Sequence, residues 1–377
     1  MRVARMVRQV CRSCRGVVHG KRLETVVAVV EGVVRSGRLV PAAIGRGIAG
    51  HTAPKHSIKR VDRLLVNPRW HRDHQAFSTA IAMTVLGKSS RPVVIVDWTQ
   101  VAGSHRALVA AVPVGGRALP IYAEVHPERL LGNSRVQTRF LRILRGVLPL
   151  GCQPIVVTDA GFHGPFFREV RALGWHFLGR VRGTATVTRH DLVLSKEELY
   201  VKATTAPQDL GICQLYSWSR SMLARLVLVR KRRKPGRHIP PPSSKDEREF
   251  RKSARDPWLL ATSLDLDGSA LVGLYSTRMQ IEEAFRDAKN HRFGWSLSHV
   301  RTASPERAQV LLLLASLAML VVTLVGFAAE ARGAHRAYQA NTAVRRVLSL
   351  FVLGNAVIRR GDHIGSPPPP CLPVHAI

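Results

Sequence analysis

Tyr275-Ser-Thr-Arg-Met-Gln-Ile-Glu-Glu-Ala-Phe-Arg-Asp-Ala-Lys289 is the stretch on which the reading of this chain turns. Its length and composition predict a helix. Tyr275, Arg278, Glu282 and Lys289 stand at offsets 0, 3, 7 and 14. At ~100° per residue they fall within roughly a 60° arc. Burial asks a helix for an apolar stripe, yet this face lines up a phenol, two cations and a carboxylate, with Arg286 beside them. Glu283 points ~100° away, so Glu282 is the carboxylate that shares the face. A carboxylate flanked by cations suits a site that holds a metal ion and an anionic backbone together. A solvated face laced with helix ion pairs would carry the same residues.

The charge balance bears on that choice. The 377 residues include 57 Lys and Arg against 25 Asp and Glu, a formal net charge of +32 spread over the whole length. Such a field attracts a polyanion. Nucleic acid is the first candidate and an anionic membrane surface the second. With 46% hydrophobic residues the chain is no disordered polycation. Cys11, Cys14, Cys152, Cys213 and Cys371 are few, odd in number and mostly far apart, which suits a reducing cytoplasm. Cys11-Arg-Ser-Cys14 has zinc-knuckle spacing without a second pair, His19 being the nearest companion. The basic N-terminus lacks the apolar run of a signal peptide. Val310–Ala329 carries no charge over twenty residues, long enough to span a bilayer. Ser316, Thr323 and Gly326 within it, and the polar helix shortly before it, favour a buried central helix. The expected location is cytoplasmic, nucleoid-associated when DNA is bound, with no membrane.

Five segments follow from the patterning. Residues 1–90 read as a helical DNA-binding region, with Leu23–Val34 and Ser57–Val66 as examples, the latter with Lys59, Arg60 and Arg63 on its polar side. Residues 91–182 read as the first part of an α/β core. In it, Arg91-Pro-Val-Val-Ile-Val-Asp97 is a buried strand with an Asp at its C-terminal tip, and Ala107–Val114 and Ala118–Val125 form a hairpin at Gly115-Gly116. Thr138–Leu148 is a basic amphipathic helix. Pro154-Ile-Val-Val-Thr-Asp159 repeats the strand-to-Asp device, before a helix at Phe166–Leu173 and a strand at Trp175–Val181. Residues 183–273 are a β-rich insertion broken by a basic loop near 230–238. Residues 274–332 complete the core, and 333–377 are a basic tail ending in Ser366-Pro-Pro-Pro-Pro.

Open α/β sheets place ligands beyond the C-terminal ends of their strands. Asp97 and Asp159 at two such ends, with Glu282 on a later helix, offer the hard oxygens that a pair of Mg²⁺ or Mn²⁺ ions needs for in-line phosphoryl chemistry. Either Asp alone could be a turn or cap residue.

This order, strand-Asp97, strand-Asp159, β insertion and then Tyr-x2-Arg-x3-Glu-x6-Lys, resembles the DDE transposases of bacterial insertion sequences, in the cut-and-paste group with that signature. The resemblance covers roughly residues 55–332 and implies a ribonuclease-H-like catalytic core interrupted by the insertion. It implies that Asp97, Asp159 and Glu282 bind two divalent metal ions, Mg²⁺ with Mn²⁺ as a substitute. It further implies that Tyr275, Arg278 and Lys289 hold phosphates near the transposon end, with Arg286 sharing their face. Pro257-Trp-Leu-Leu-Ala-Thr262 matches a family strand whose indole stacks on a flipped base, which singles out Trp258. The expected partners are double-stranded DNA, at element ends and target, and a second copy of the chain in the synaptic complex. The expected reaction is excision at terminal inverted repeats through a hairpin, then joining of the 3′ ends to target. A metal-dependent nuclease without strand transfer, and a non-catalytic or decayed basic DNA-binding protein, are the alternatives.

Overall fold

The computed structural model describes residues 3–101, 103–182, 186–189, 192–216, 221–231, 256–289, 295, 304–362, 372 and 374. The basic loop beyond Lys231 and the Pro-rich end lie outside these. The chain divides into two compact units, Met1–Pro154 with Met279–Ile377, and Ile155–Arg278.

The first unit opens with five helices: α1 (Val3–Val10), α2 (Gly20–Ser36), α3 (Pro41–Gly47), α4 (Pro54–Leu65) and α5 (Trp70–Leu86). In α2 the apolar positions Leu23, Val26, Val27, Val30 and Val33 recur at helical spacing and are buried. The helix stops at Gly37, whose φ of 60° is the left-handed conformation that glycine adopts without penalty. Cys11 and Cys14 lie in a 3₁₀ turn and are buried, Cys14 Sγ standing 3.5 Å from the Ala76 carbonyl.

Three antiparallel strands follow in spatial order β3-β2-β1: β1 (Val93–Gln100), β2 (His105–Val114) and β3 (Arg117–Pro127). The β2–β3 turn is Gly115-Gly116, both with positive φ, as a two-residue hairpin requires. β1 differs from the expectation in one respect. Asp97 is not at its tip: pairing with β2 continues from Asp97↔Val109 to Gln100↔Arg106, so the carboxylate sits inside the strand. Trp98 then points to the opposite face, where its ring meets His126 at 5.8 Å. That face also holds Glu124, which accepts from Tyr122 Oη at 2.7 Å and from Arg139 of α6 (Ser134–Val147) at 2.6 Å.

Met279 reopens the unit with α10 (Met279–Lys289), then α11 (Pro305–Ala331) and α12 (Leu350–Arg360). Ser304 caps α11, and Pro305 takes its first turn, where no amide partner is needed. Its most apolar window is 89% buried within the protein, packed as a core helix is. Gln309 at its start fastens β3, accepting from Val125 N at 2.7 Å and donating to Ala123 O. The expected tail instead contains α12, whose Leu350, Phe351, Leu353 and Val357 are buried. It crosses α11 backbone to backbone: a Cβ on Gly326 would fall 1.9 Å from Leu350 O, and one on Gly354 1.9 Å from Val322 O.

In the second unit β4 (Ile155–Thr158) pairs in parallel with β5 (His176–Val181) around α7 (Gly164–Ala172). The strands run in order β4-β5-β10-β9-β8-β6-β7, with β6 (Thr186–Arg189), β7 (Leu192–Ser195), β8 (Gln208–Leu215), β9 (Met222–Val229) and β10 (Trp258–Thr262). Two further helices are α8 (Lys196–Val201), closed by a Ser195/Glu198 capping box, and α9 (Gly268–Ser276), capped by Asp267.

The signature stretch is not one helix. α9 ends at Ser276 and α10 begins at Met279, with a two-residue turn between. Thr277 and Arg278 donate their N–H groups three residues back, to Leu274 O at 3.1 Å and Tyr275 O at 3.0 Å. The Ser276 and Thr277 hydroxyls claim the Val272 and Leu274 carbonyls at 2.8 and 2.7 Å. Consecutive hydroxyl residues bonding back onto the preceding turn tighten and break the helical ladder. Tyr275 and Arg278 therefore belong to the second unit, Glu282, Arg286 and Lys289 to the first.

Candidate active site

In the first unit α10 lies against the three strands. Asp97, Val109 and Ala123 form one row across β1, β2 and β3, and Thr99 shares their face of β1. Lys289 Nζ donates to Thr99 Oγ1 at 2.7 Å, which sets the helix over that face. Ile281, Ala284 and Ala288 are buried beneath α10. Helical spacing then puts Glu282, Phe285 and Lys289 on the shoulder toward β1, and Glu283 and Asp287 on the other.

The two shoulders have different chemistry. Asp287 accepts from Arg117 Nε at 2.6 Å, and Glu283 pairs with Arg117 at 3.7 Å and Arg286 at 2.9 Å. These acids are engaged in holding the helix on β3. Arg286, although close in angle to Glu282, is exposed and turns its guanidinium to Glu283. On the β1 side, Asp97 is 8% exposed and Lys289 is half-buried. Burial pulls the Lys289 ammonium below its usual range, Arg106 adds to this, and Asp97 opposes it. Asp97 thus sits near enough to Lys289 to be felt electrostatically. A buried carboxylate, a helix shoulder carrying Glu282, and oxygen as the donor element fit a hard divalent cation. Within neither unit do three or more His, Cys, Asp or Glu of the described residues group to hold a metal ion.

The second unit supplies Asp159, just past the end of β4 as expected. Its Oδ1 accepts the Gly161 N–H at 2.8 Å, which fixes the carboxylate in a side-chain-closed turn. Arg180 lies on β5 and Arg182 just past the end of that strand. Leu260 lies opposite Arg180, and Tyr275 of α9 is near both arginines. Burial pushes the Tyr275 phenol up; Arg278, Arg180 and Arg182 oppose this, while Asp159 adds to it. Tyr275 therefore feels the charge of three guanidiniums and one carboxylate. Arg180 is buried and held by backbone carbonyls, Asp256 O at 3.0 Å and Pro257 O at 3.1 Å. Burial and the neighbouring Arg182 lower its pKa.

Trp258 is placed differently from the expected stacking platform. It is 8% exposed, edge-to-face with Tyr275 at 4.8 Å, and Lys231 Nζ lies over its ring at 4.4 Å. A base reaching this indole would have to displace the lysine. Arg180 and Arg182 were not among the residues singled out from sequence. Their signal was the period-two alternation Arg180-Val181-Arg182 at the end of an otherwise apolar strand.

The chain matches the transposase DDE domain over residues 88–320. It belongs to the DDE transposases. The match spans β1 to most of α11 and so includes Asp97, Asp159 and Glu282. The family identifies a DNA-cleaving and DNA-joining class of enzyme, and its members generally use divalent metal ions. DNA is accordingly the substrate class of this DDE transposase. No curated protein matches the chain.

Proposed function

We propose that this transposase belongs to the cut-and-paste group of insertion-sequence enzymes with the Tyr-x2-Arg-x3-Glu-x6-Lys signature, and that Asp97, Asp159 and Glu282 are its catalytic carboxylates. The observation that carries the reading is the unequal placement of neighbouring acids on α10. Glu283 and Asp287 are committed to Arg117, whereas Glu282 lies on the shoulder with Lys289, toward the strand of Asp97. Divalent ions held by the three carboxylates, Mg²⁺ in the cell, would lower the pKa of an attacking water and stabilise the leaving oxygen.

The chain's own residues do the rest. Tyr275 and Arg278 bind phosphates of the transposon end, with Lys289 beside Asp97 as the second cation. Arg286, exposed on α10, contributes to the field rather than to a defined contact. Trp258 supports the Tyr275 ring, and takes a flipped base only if Lys231 gives way. The basic helices of residues 1–90 recognise the terminal inverted repeats. Water frees a 3′-OH at the element end, this hydroxyl attacks the opposite strand to close a hairpin, a second water opens it, and the 3′ end joins target DNA. Two ends held together call for a homodimer in the synaptic complex. The compartment is the cytoplasm, with the protein on the nucleoid when bound.

The test is incubation of the protein with Mg²⁺ and a labelled duplex carrying the native element end, beside Asp159→Asn. Cleavage at the element boundary that the variant loses supports the reading, and a hairpin product supports the subgroup. Equal cleavage by both proteins, or binding with none, would refute the catalytic assignment.

A further inference from the structure

α4 has a cationic outer face on an apolar inner one. Lys55, Lys59 and Arg63 recur every four residues, His56 and Arg60 lie beside them, and all five are exposed. Ser57, Val61, Leu64 and Leu65 are buried. The one acid in the helix sequence, Asp62, is turned away to Arg307 of α11 at 3.0 Å. The helix is also rigidly seated. A Cβ on Gly45 of α3 would come within 2.6 Å of Ile58 Cα, and one on Gly47 within 2.5 Å of Gly32 O in α2. Contacts this close leave α4 little freedom to shift on its support.

Beside its last turn, α4 meets the start of α2 in a cleft of about 320 Å³, lined among others by His19, Lys21, Thr25, Arg60 and Arg63. The carboxylates nearby are already engaged: Glu24 by Arg8 at 2.7 Å, and Asp73 by Arg22. Arg60 donates to neutral acceptors, Glu24 O and Thr25 Oγ1, each at 3.3 Å. Among the described residues, no carboxylate pairs with Lys21, Lys55, Lys59 or Arg63.

We infer that α4 is the helix that docks the element-end duplex, resting on the transposase reading above. Its Lys55, His56 and Lys59 lie toward base edges in the major groove, and Lys21, Arg60 and Arg63 seat a backbone phosphate in the adjoining cleft. An α-helix fills a major groove ~12 Å wide. A helix that lies on a membrane would need an exposed apolar face opposite its cations, and Val61, Leu64 and Leu65 are at most 3% exposed.

Fluorescence anisotropy would test this with two labelled duplexes, the native element end and a scrambled sequence, across about 50–200 mM salt. Arg63→Ala weakens both duplexes alike by several-fold and reduces the salt slope by about one. Lys59→Ala cuts the preference for the element end about tenfold. Both positions are exposed, so melting temperatures stay within a degree or two of the parent. If Lys59→Ala/Arg63→Ala keeps the parent's affinities and salt slope while the parent still cleaves the end, the docking surface is wrong and the transposase reading stands. If the parent neither cleaves nor distinguishes the two duplexes, the reading itself fails and this inference with it.

Discussion

The two units handle buried charge in opposite ways. In the first, arginine and carboxylate are matched: Arg117 answers Asp287 and Glu283 on one shoulder of α10, while Glu282 shares the other shoulder with Lys289, which feels Asp97 and Arg106. In the second, Arg180 is held by carbonyl oxygens, with Arg182 and Arg278 close by around Tyr275 and one carboxylate, Asp159. Ion-paired acids such as Asp287 and Glu283 hold a helix in place. A guanidinium held by carbonyl dipoles, as Arg180 is, keeps its full charge. Charge in the first unit fixes a helix; in the second, arginines gather near a phenol.

The largest test of that contrast exchanges neighbouring acids on α10. Glu282→Gln should reduce end cleavage on the order of 10³-fold, about 4 kcal/mol in the barrier, with an unchanged melting temperature. Glu283→Gln should leave cleavage within a few-fold, so equal losses in a single-turnover assay would erase the distinction between the two shoulders. Gly354→Val changes packing without charge. Its branched side chain would run into the Val322 carbonyl and should cost about 3 kcal/mol in denaturant unfolding. Tyr275→Phe keeps the edge contact with Trp258 but removes the phenol, and should weaken binding of the element end by roughly tenfold at constant melting temperature. No change would remove Tyr275 from the DNA contacts.

A pH titration of stability sharpens the contrast on the carboxylate side. Burial pushes the Glu124 carboxyl up, but His126, Tyr122 and Arg139 outweigh it and hold it below its usual range. A carboxyl lowered on folding stabilises the protein above its unfolded pKa and loses that contribution as pH falls through the folded value. Melting temperature should therefore hold near neutrality and fall below about pH 4.5, with a shallower fall in Glu124→Gln. The smallest effect expected is on stability in Glu283→Gln, under about 1 kcal/mol, since its pair is partly exposed.

Much of the fold was legible because apolar periodicity is a local property. The Gly115-Gly116 hairpin, the Asp159 strand end and the buried Val310–Ala329 helix all show in the sequence for that reason. Asp97 was misplaced because pairing with β2, a non-local fact, decides where β1 stops. The signature was misread as one helix because a hydroxyl pair acting on its own backbone is invisible to a face-counting argument. α12 was missed because a basic composition masked four buried positions, and the partner of its glycine lies 28 residues earlier, at Gly326. Spacing separates Glu282 from Glu283 on the helix, but that Glu283 pairs with Arg117 is a non-local fact the spacing does not carry.

The crossing of Gly326 and Gly354 also sets an order in time. α11 leaves the ribosome before the helix that covers it, separated from it by residues 332–349. At 5–20 residues per second, the interval is roughly one to four seconds. For that interval the most apolar of the described helices has a bare glycine groove and no lid, and it resembles a membrane segment to any factor that inspects nascent chains. The last described helix is therefore the step that ends the chain's exposure to mistargeting and aggregation during synthesis.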